Sequence, residues 1–488
     1  MTVFDDLMAF ERETQALSRV AGRLSWDQET VMPSGAAAQR AEESGAMEAV
    51  LHARRTDPRV DDWLEAAEAP DADGAAQLRL IRRGYERSVK VPADLATALA
   101  RLTSRAQGVW AEARSADDMA AFAPTLEDVL RLKREEAAAL AEGGDLYDAL
   151  IDDFEPGTTA AELAAMFDEM RPGLVALRED ALAGPEVPAL AGPFEEAGQL
   201  RLGRELAERF GYDLSRGRID MAVHPFSSGS GEDVRITTRI AVDDPFNCLY
   251  STIHEVGHAC YEQGIDPAFL LTPAGQGVSM GVHESQSRIY ENQLGRSRAF
   301  CGFLYGRMRD VFGEIGVADE DAFYRVVNRV HRGYIRTEAD EVQYNLHIML
   351  RFDLERALIA GDLAVSDLET AWNERFATDF GYAVDRASNG VLQDVHWSVG
   401  LFGYFPTYSL GNVYAGCLHD AMARDVPGLE DQLAVGDLSA ATAWLRNAVQ
   451  RHGGRYEPAE VIERACGRPP SAVPLMAYLK QKFSELSV

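Results

Sequence analysis

The stretch CLYSTIHEVGHACYEQG, residues 248–264, puts two imidazoles, His254 and His258, four residues apart with the carboxylate of Glu255 beside the first. On a helix, side chains at i and i+4 project from one face about a turn apart. Two imidazoles so placed can share one divalent ion, with Zn–N bonds of about 2.0–2.1 Å. Glu255 then lies next to the ion rather than on it, within reach of the proton of a water held there. Ser251 or Thr252 is expected to cap this helix, which runs on through Tyr261 toward Gly264. The plain alternative is two histidines on an ordinary helix face, and the rest of the chain has to decide.

A hydrolytic site of this kind needs a third protein ligand and one open position. The metzincin pattern requires Gly three and His six residues beyond the second histidine; Tyr261 and Gly264 stand there, which excludes that class. Glu262 is on the correct face but about 12 Å along the axis from His254. The ligand therefore comes from another segment. SMGVHESQSRIYENQLG, residues 279–295, offers two candidates, because Ser279 can cap a second helix that presents His283 or Glu284. Each has a bland role as well: Glu284 on a solvated face, His283 as a hydrogen-bonded core residue.

Apolar residues at three- and four-residue spacing predict the helices that must position these groups, over 76–90, 93–115, 125–142, 159–183, 320–359 and 472–486. Thr159 and Glu162 have capping-box spacing directly after Pro156-Gly157. Breaks are expected at Pro70–Gly74 and across 184–198. Residues 220–247 differ: HPFSSGSGED is followed by VRITTRIAV, a β-branched run of period two. A strand edge there could pair with the backbone of an extended peptide.

Composition limits the partners. The 488 residues are 46% hydrophobic and 26% charged, enough for a sizeable soluble core, and the formal charge of −30 repels nucleic acid. Five scattered cysteines without a CxxC pair predict reduced, buried thiols. MTVFDDLMAFERET lacks the basic start and apolar run of a signal peptide, and no apolar stretch approaches the roughly 18 residues of a membrane span, so the cytoplasm is the expected location.

Six segments, in order, resemble the motifs of the carboxypeptidase Taq (M32) metallocarboxypeptidase family. They are His224-Pro225-Phe226, Asp233-Val234-Arg235-Ile236-Thr237 and His254-Glu255-Val256-Gly257-His258. Then follow His283-Glu284-Ser285-Gln286, Ile335-Arg336-Thr337-Glu338-Ala339-Asp340 and Gly390-Val391-Leu392-Gln393-Asp394-Val395-His396-Trp397. Leu24-Ser25-Trp26-Asp27-Gln28-Glu29-Thr30 also looks like the N-terminal region of that family. The resemblance covers essentially the whole chain. It implies a mainly α fold related to thermolysin-clan oligopeptidases: a single large helical body, 1–488, with a deep substrate groove and a short β segment near the metal. Helices of 1–200 would form a groove wall or lid, and 201–488 the metal- and substrate-binding half. It also implies a homodimer with one Zn2+ per subunit, Co2+ being an alternative, held by His254, His258 and Glu284. The activity implied is release of C-terminal residues from peptides with broad specificity.

Chemistry then assigns roles. Glu255 would act as general base and proton shuttle. A free terminal carboxylate calls for a planar guanidinium fork, with Arg336 on the long 320–359 helix as first choice, Arg235 second and Arg239 third. His396 and Tyr408, with Tyr404 beside them, could donate to a developing oxyanion, a contribution of about 2.7–4 kcal/mol per donor. Tyr404 and His224 are candidate substrate-facing residues, and Asp340 or Asp394 a candidate carboxylate behind a ligand histidine. The competing functions are an endo-acting oligopeptidase with the same metal chemistry, and a non-catalytic helical scaffold that binds peptides; the scaffold would have no use for Glu255.

Overall fold

The computed structural model describes residues 2–486. Helices dominate, interrupted by one small sheet of three strands. The helices begin where the chain supplies caps. Thr2 and Asp5 form a capping box at Val3–Thr30, and Thr159 and Glu162 form the expected one at Ala160–Leu182. Helices Ala72–Lys90, Ala93–Ala116 and Val473–Leu486 also match their predicted spans closely. The helix predicted from 125 starts earlier, at Met119, because Asp118 caps it by accepting the Ala121 N–H; Pro124, which suggests a later start, lies inside. Among the described residues no helix is long and apolar enough to cross a membrane, and the five cysteines are buried thiols, none of them in a disulfide.

The continuous helix expected over 320–359 is two helices, Glu320–Val327 and Glu341–Ala360. Asp340 opens the second by accepting from Val342 and Gln343 N–H at 3.0 Å each. Between them the backbone finds other partners: the Tyr382 hydroxyl accepts from Gly333 N and donates to Gly333 O. Arg336 therefore sits in a short turn, Arg336–Glu338, and not on the long helix expected over 320–359.

In the sheet, β1 (Ile219–Met221) pairs parallel and β2 (Ser227–Ser230) antiparallel with β3 (Asp233–Thr238). The β-branched run supplies β3, with Val234 and Ile236 fully buried. That strand is central, paired on both sides, so the free edges belong to β1 and β2 and not to the VRITT run. It also ends at Thr238, short of the Ile240-Ala241-Val242 tail of the predicted run.

The chain packs as two compact units, each built from three separated segments. The first takes the chain up to Ser88, Glu186–Asn328 and Tyr414–Pro470; the second takes Val89–Pro185, Arg329–Val413 and the chain from Ser471 on.

Candidate functional site

In the first unit, Phe246–Gly264 forms the helix that carries both histidines. Ser251 and Thr252 do not cap it. The helix starts five residues earlier, where Asp244 accepts the Phe246 N–H at 3.1 Å. Ser251 instead bonds back to Asn247 O (2.6 Å), and Thr252 donates to the Thr238 hydroxyl (3.1 Å). A second helix, Met280–Arg288, is capped as expected by Ser279, which accepts from Val282 N at 3.1 Å.

Gly257 lets the two helices meet. A Cβ at that position would lie 2.5 Å from Gln286 O and 2.6 Å from Ser287 Cα, so only glycine permits the approach. Gly257→Ala is expected to cost about 1–3 kcal/mol through overpacking. Because the backbone that must yield adjoins Glu284, calorimetry should show a lower melting temperature together with weaker metal binding. An unchanged melting temperature would contradict this contact.

The close packing brings three donors together. Glu284 Oε2 is 3.4 Å from His258 Nε2 and 3.9 Å from His254 Nε2. Donor atoms about 2.0–2.2 Å from a tetrahedral centre are roughly 3.3–3.6 Å apart, so the set fits a divalent cation with little movement. One ligand atom from each residue lies within 4.8 Å of the others. The remaining ring nitrogens are spoken for: His254 Nδ1 donates to Glu291 Oε2 at 2.9 Å, and His258 Nδ1 lies 2.6 Å from His283 Nδ1. Both Nε2 atoms are thereby left to face Glu284. Of the two candidates in the 279–295 segment, Glu284 converges with the two Nε2 atoms, and His283 meets His258 at Nδ1 instead.

Glu291 is the residue the sequence argument missed. Of the two carboxylates expected behind a ligand histidine, Asp340 caps a helix and Asp394 is taken by two arginines. Glu291 fills the role from a turn of π-helix, Ile289–Leu294, that continues the Glu284 helix. Its position seven residues beyond Glu284 was the available signal. Arg288 donates to Glu284 Oε1 at 2.7 Å and Arg296 to Glu291 Oε1 at 3.1 Å.

These contacts set the charges. Burial favours neutral carboxyls, but Arg288 and His258 overcome it at Glu284, and His254 and Arg296 do so at Glu291; both are held well below the usual carboxylate range. Burial pushes the His258 imidazole down to about 4, against its bond to Glu284, so the ring is neutral as a ligand must be. Glu255, 7% exposed, is pushed up to about 7 by burial, with His254 opposing and Glu284 and Glu291 adding. A carboxyl poised near neutrality suits proton transfer in both directions.

The second unit gathers another predicted group. Arg336 donates through Nε (3.0 Å) and Nη2 (2.8 Å) to Asp394 Oδ1, and through Nη1 to the Tyr344 hydroxyl (3.1 Å). Arg351 takes the other oxygen, Nε to Oδ2 at 2.7 Å. Among the described residues no further carboxylate bonds either guanidinium, so this cluster keeps one excess positive charge. Tyr408 and Phe405 lie 5.1 and 5.4 Å from the Arg336 guanidinium. His396 packs against Phe405, Tyr404 and Tyr408, with ring centroids at 4.4, 5.7 and 6.4 Å. Residues 393–404 are irregular, as expected, but a helix begins at Phe405 and includes Tyr408.

Burial pushes His396 down to about 4, Asp394 opposing and the two arginines assisting. Its folded value is below the unfolded 6.5, so the stability it supplies is complete above pH 6.5 and lost as pH falls toward 4. That loss is up to about 3 kcal/mol. In denaturant titrations of the metal-free protein, His396→Gln should flatten this part of the pH profile; an unaltered slope would contradict it.

Other candidates are placed separately. Arg235 spends its fork on Asp233 (2.7 Å) and lies 4.5 Å over the Trp26 ring. Exposed Arg239 donates to Asn247 Oδ1 at 2.6 Å, and His224 is exposed in the connection between β1 and β2.

Residues 6–483 match the family described as carboxypeptidase Taq (M32) metallopeptidase. Thermostable carboxypeptidase 1 of Thermus thermophilus is 42% identical over 99% of this chain and 98% of its own. The crystal structure of an M32 carboxypeptidase from Deinococcus radiodurans superposes with a TM-score of 0.95 at 40% identity, covering 99% of both chains. Metallocarboxypeptidase 1 of Trypanosoma cruzi gives 0.94 at 32% identity with the same coverage.

Proposed function

The chain belongs to the carboxypeptidase Taq (M32) metallopeptidase family, and from that premise we propose that this metallocarboxypeptidase binds one Zn2+ per subunit through His254, His258 and Glu284. The carrying observation is the convergence of His254 Nε2, His258 Nε2 and Glu284 Oε2 beside the buried carboxyl of Glu255. When bound, such an ion supplies Lewis acidity and lowers the pKa of water it holds to about 7. Co2+ is the second candidate for the same donors.

Glu255 takes the proton of the attacking water on its carboxylate and passes it to the leaving amine. Glu291 and His283 hold the imidazoles so that Nε2, and not Nδ1, is presented. Arg336 recognises the substrate's terminal carboxylate, since its cluster with Asp394 and Arg351 is one negative charge short. His396, neutral at pH 7, and Tyr408 are assigned as donors to the developing oxyanion. Tyr404, Arg235 and His224 are assigned to the substrate. Substrates are peptides with a free C-terminus, taken with broad specificity, and the enzyme is proposed to be a cytoplasmic homodimer.

Mass spectrometry of digests of one defined peptide and its C-terminal amide tests this. Stepwise loss of single C-terminal residues is expected from the acid, with cleavage of the amide at least about tenfold slower, a charge-assisted pair being worth about 1.5–3 kcal/mol. Internal fragments, or equal rates on both, would favour an endo-acting oligopeptidase without a carboxylate clamp.

A further inference from the structure

The two ligand histidines are not held alike. His254 Nδ1 meets a carboxylate directly, whereas His258 Nδ1 meets the Nδ1 of another imidazole at 2.6 Å. Two ring nitrogens at that distance share one proton. With Nε2 of His258 as the ligand atom, its proton sits on Nδ1, and His283 Nδ1 must accept it. Neutral His283 then carries its own proton on Nε2. That nitrogen lies 3.1 Å from Oε1 of Glu262, which can only accept. Each tautomer fixes the next.

The outer end is built to stay in place. Glu262 is four residues beyond His258 on the same helix, and 6% exposed. Its Oε1 also accepts the Gly277 N–H at 2.9 Å, and Arg19 on Val3–Thr30 is coupled to it electrostatically. The His283 ring is confined between His258 and Tyr261, centroids 4.7 and 5.3 Å away. Gly277 closes the remaining side: a Cβ there would be 2.6 Å from His283 Cδ2.

We propose that His283 and Glu262 are positioning residues acting in series, a Glu–His–His relay that fixes the tautomer of His258 and orients its Nε2 toward the metal. This rests on the metal assignment above. Neither residue touches substrate, and their effect is on metal binding before it is on turnover.

The test is Zn2+ affinity of the full chain, measured by competition with a chromophoric chelator, alongside the melting temperature of the metal-free protein. His283→Phe and Glu262→Leu are each expected to weaken Zn2+ binding about 10- to 100-fold. Because the links are in series, the double variant should lose no more than the worse single one. Glu262→Gln, which keeps an acceptor oxygen, should lose less than Glu262→Leu even if the apolar variant is poorly folded. The Co2+-loaded variants should also show a shifted visible spectrum. Wild-type affinity in His283→Phe, or losses that multiply in the double variant, would overturn the relay. His258→Ala separates the two levels: if wild type binds Zn2+, His258→Ala does not, and His283→Phe is normal, only the relay fails; if His258→Ala binds normally, the metal assignment fails.

Discussion

Glu255→Gln is expected to lower kcat by about 10²–10⁴ while leaving Zn2+ content at the wild-type level. The amide matches the carboxyl in size and sits in the same buried position, so neither packing nor the ligand set is disturbed. What it loses is the ability to take a proton and return it. Glu255 is prepared for that exchange by burial among other carboxylates, which pushes its carboxyl up to about 7. Paired assays of metal content and peptide turnover decide the matter. Metal-replete Glu255→Gln with undiminished kcat would remove the general base from the mechanism.

Glu284→Ala is the other large effect. Structural zinc sites bind with about 10–16 kcal/mol shared over four ligands, so one ligand accounts for roughly 3–4 kcal/mol, two to three orders of magnitude in affinity. Here the loss has a second part. Arg288, its side chain 13% exposed, donates to Glu284 Oε1 and would lose that carboxylate, leaving more positive charge beside the imidazoles. Chelator competition should show the collapse directly, and saturating zinc should no longer raise the melting temperature. Affinity within tenfold of wild type would mean that Glu284 is not a ligand.

The site was legible in the sequence to different depths. His254, His258 and Glu255 follow from spacing on one helix, because i,i+4 geometry is local. Choosing Glu284 over His283 required the resemblance: both residues sit on the same short helix and both approach His258, and only the packed geometry shows that Glu284 meets the two Nε2 atoms while His283 meets Nδ1. Glu291 lies only two turns beyond Glu284, but the extra residue of the π-helical turn that brings it to His254 leaves no mark in the apolar spacing. The break between Val327 and Glu341 was hidden for a different reason. Apolar spacing continued through it by coincidence, while the deciding partners, Tyr382 for Gly333 and Gln393 for the Arg336 N–H, lie about fifty residues away. Likewise nothing local revealed that one Asp394 would serve both Arg336 and Arg351. Periodicity reports which face of a helix is buried; it carries no information about which distant polar group completes an interrupted backbone.

The π-helical turn at Ile289–Leu294 has an evolutionary corollary. Such a turn holds one residue more than an α-helical one, rotating everything after it by about 100°. Ile289 and Leu294 stay in the core while Glu291, between them, reaches His254. Shortening the segment by one amino acid would yield a more regular helix and a misplaced anchor. A one-residue insertion or deletion here would therefore carry Glu291 away from His254, so the length of this turn matters to the candidate site as much as any side chain in it.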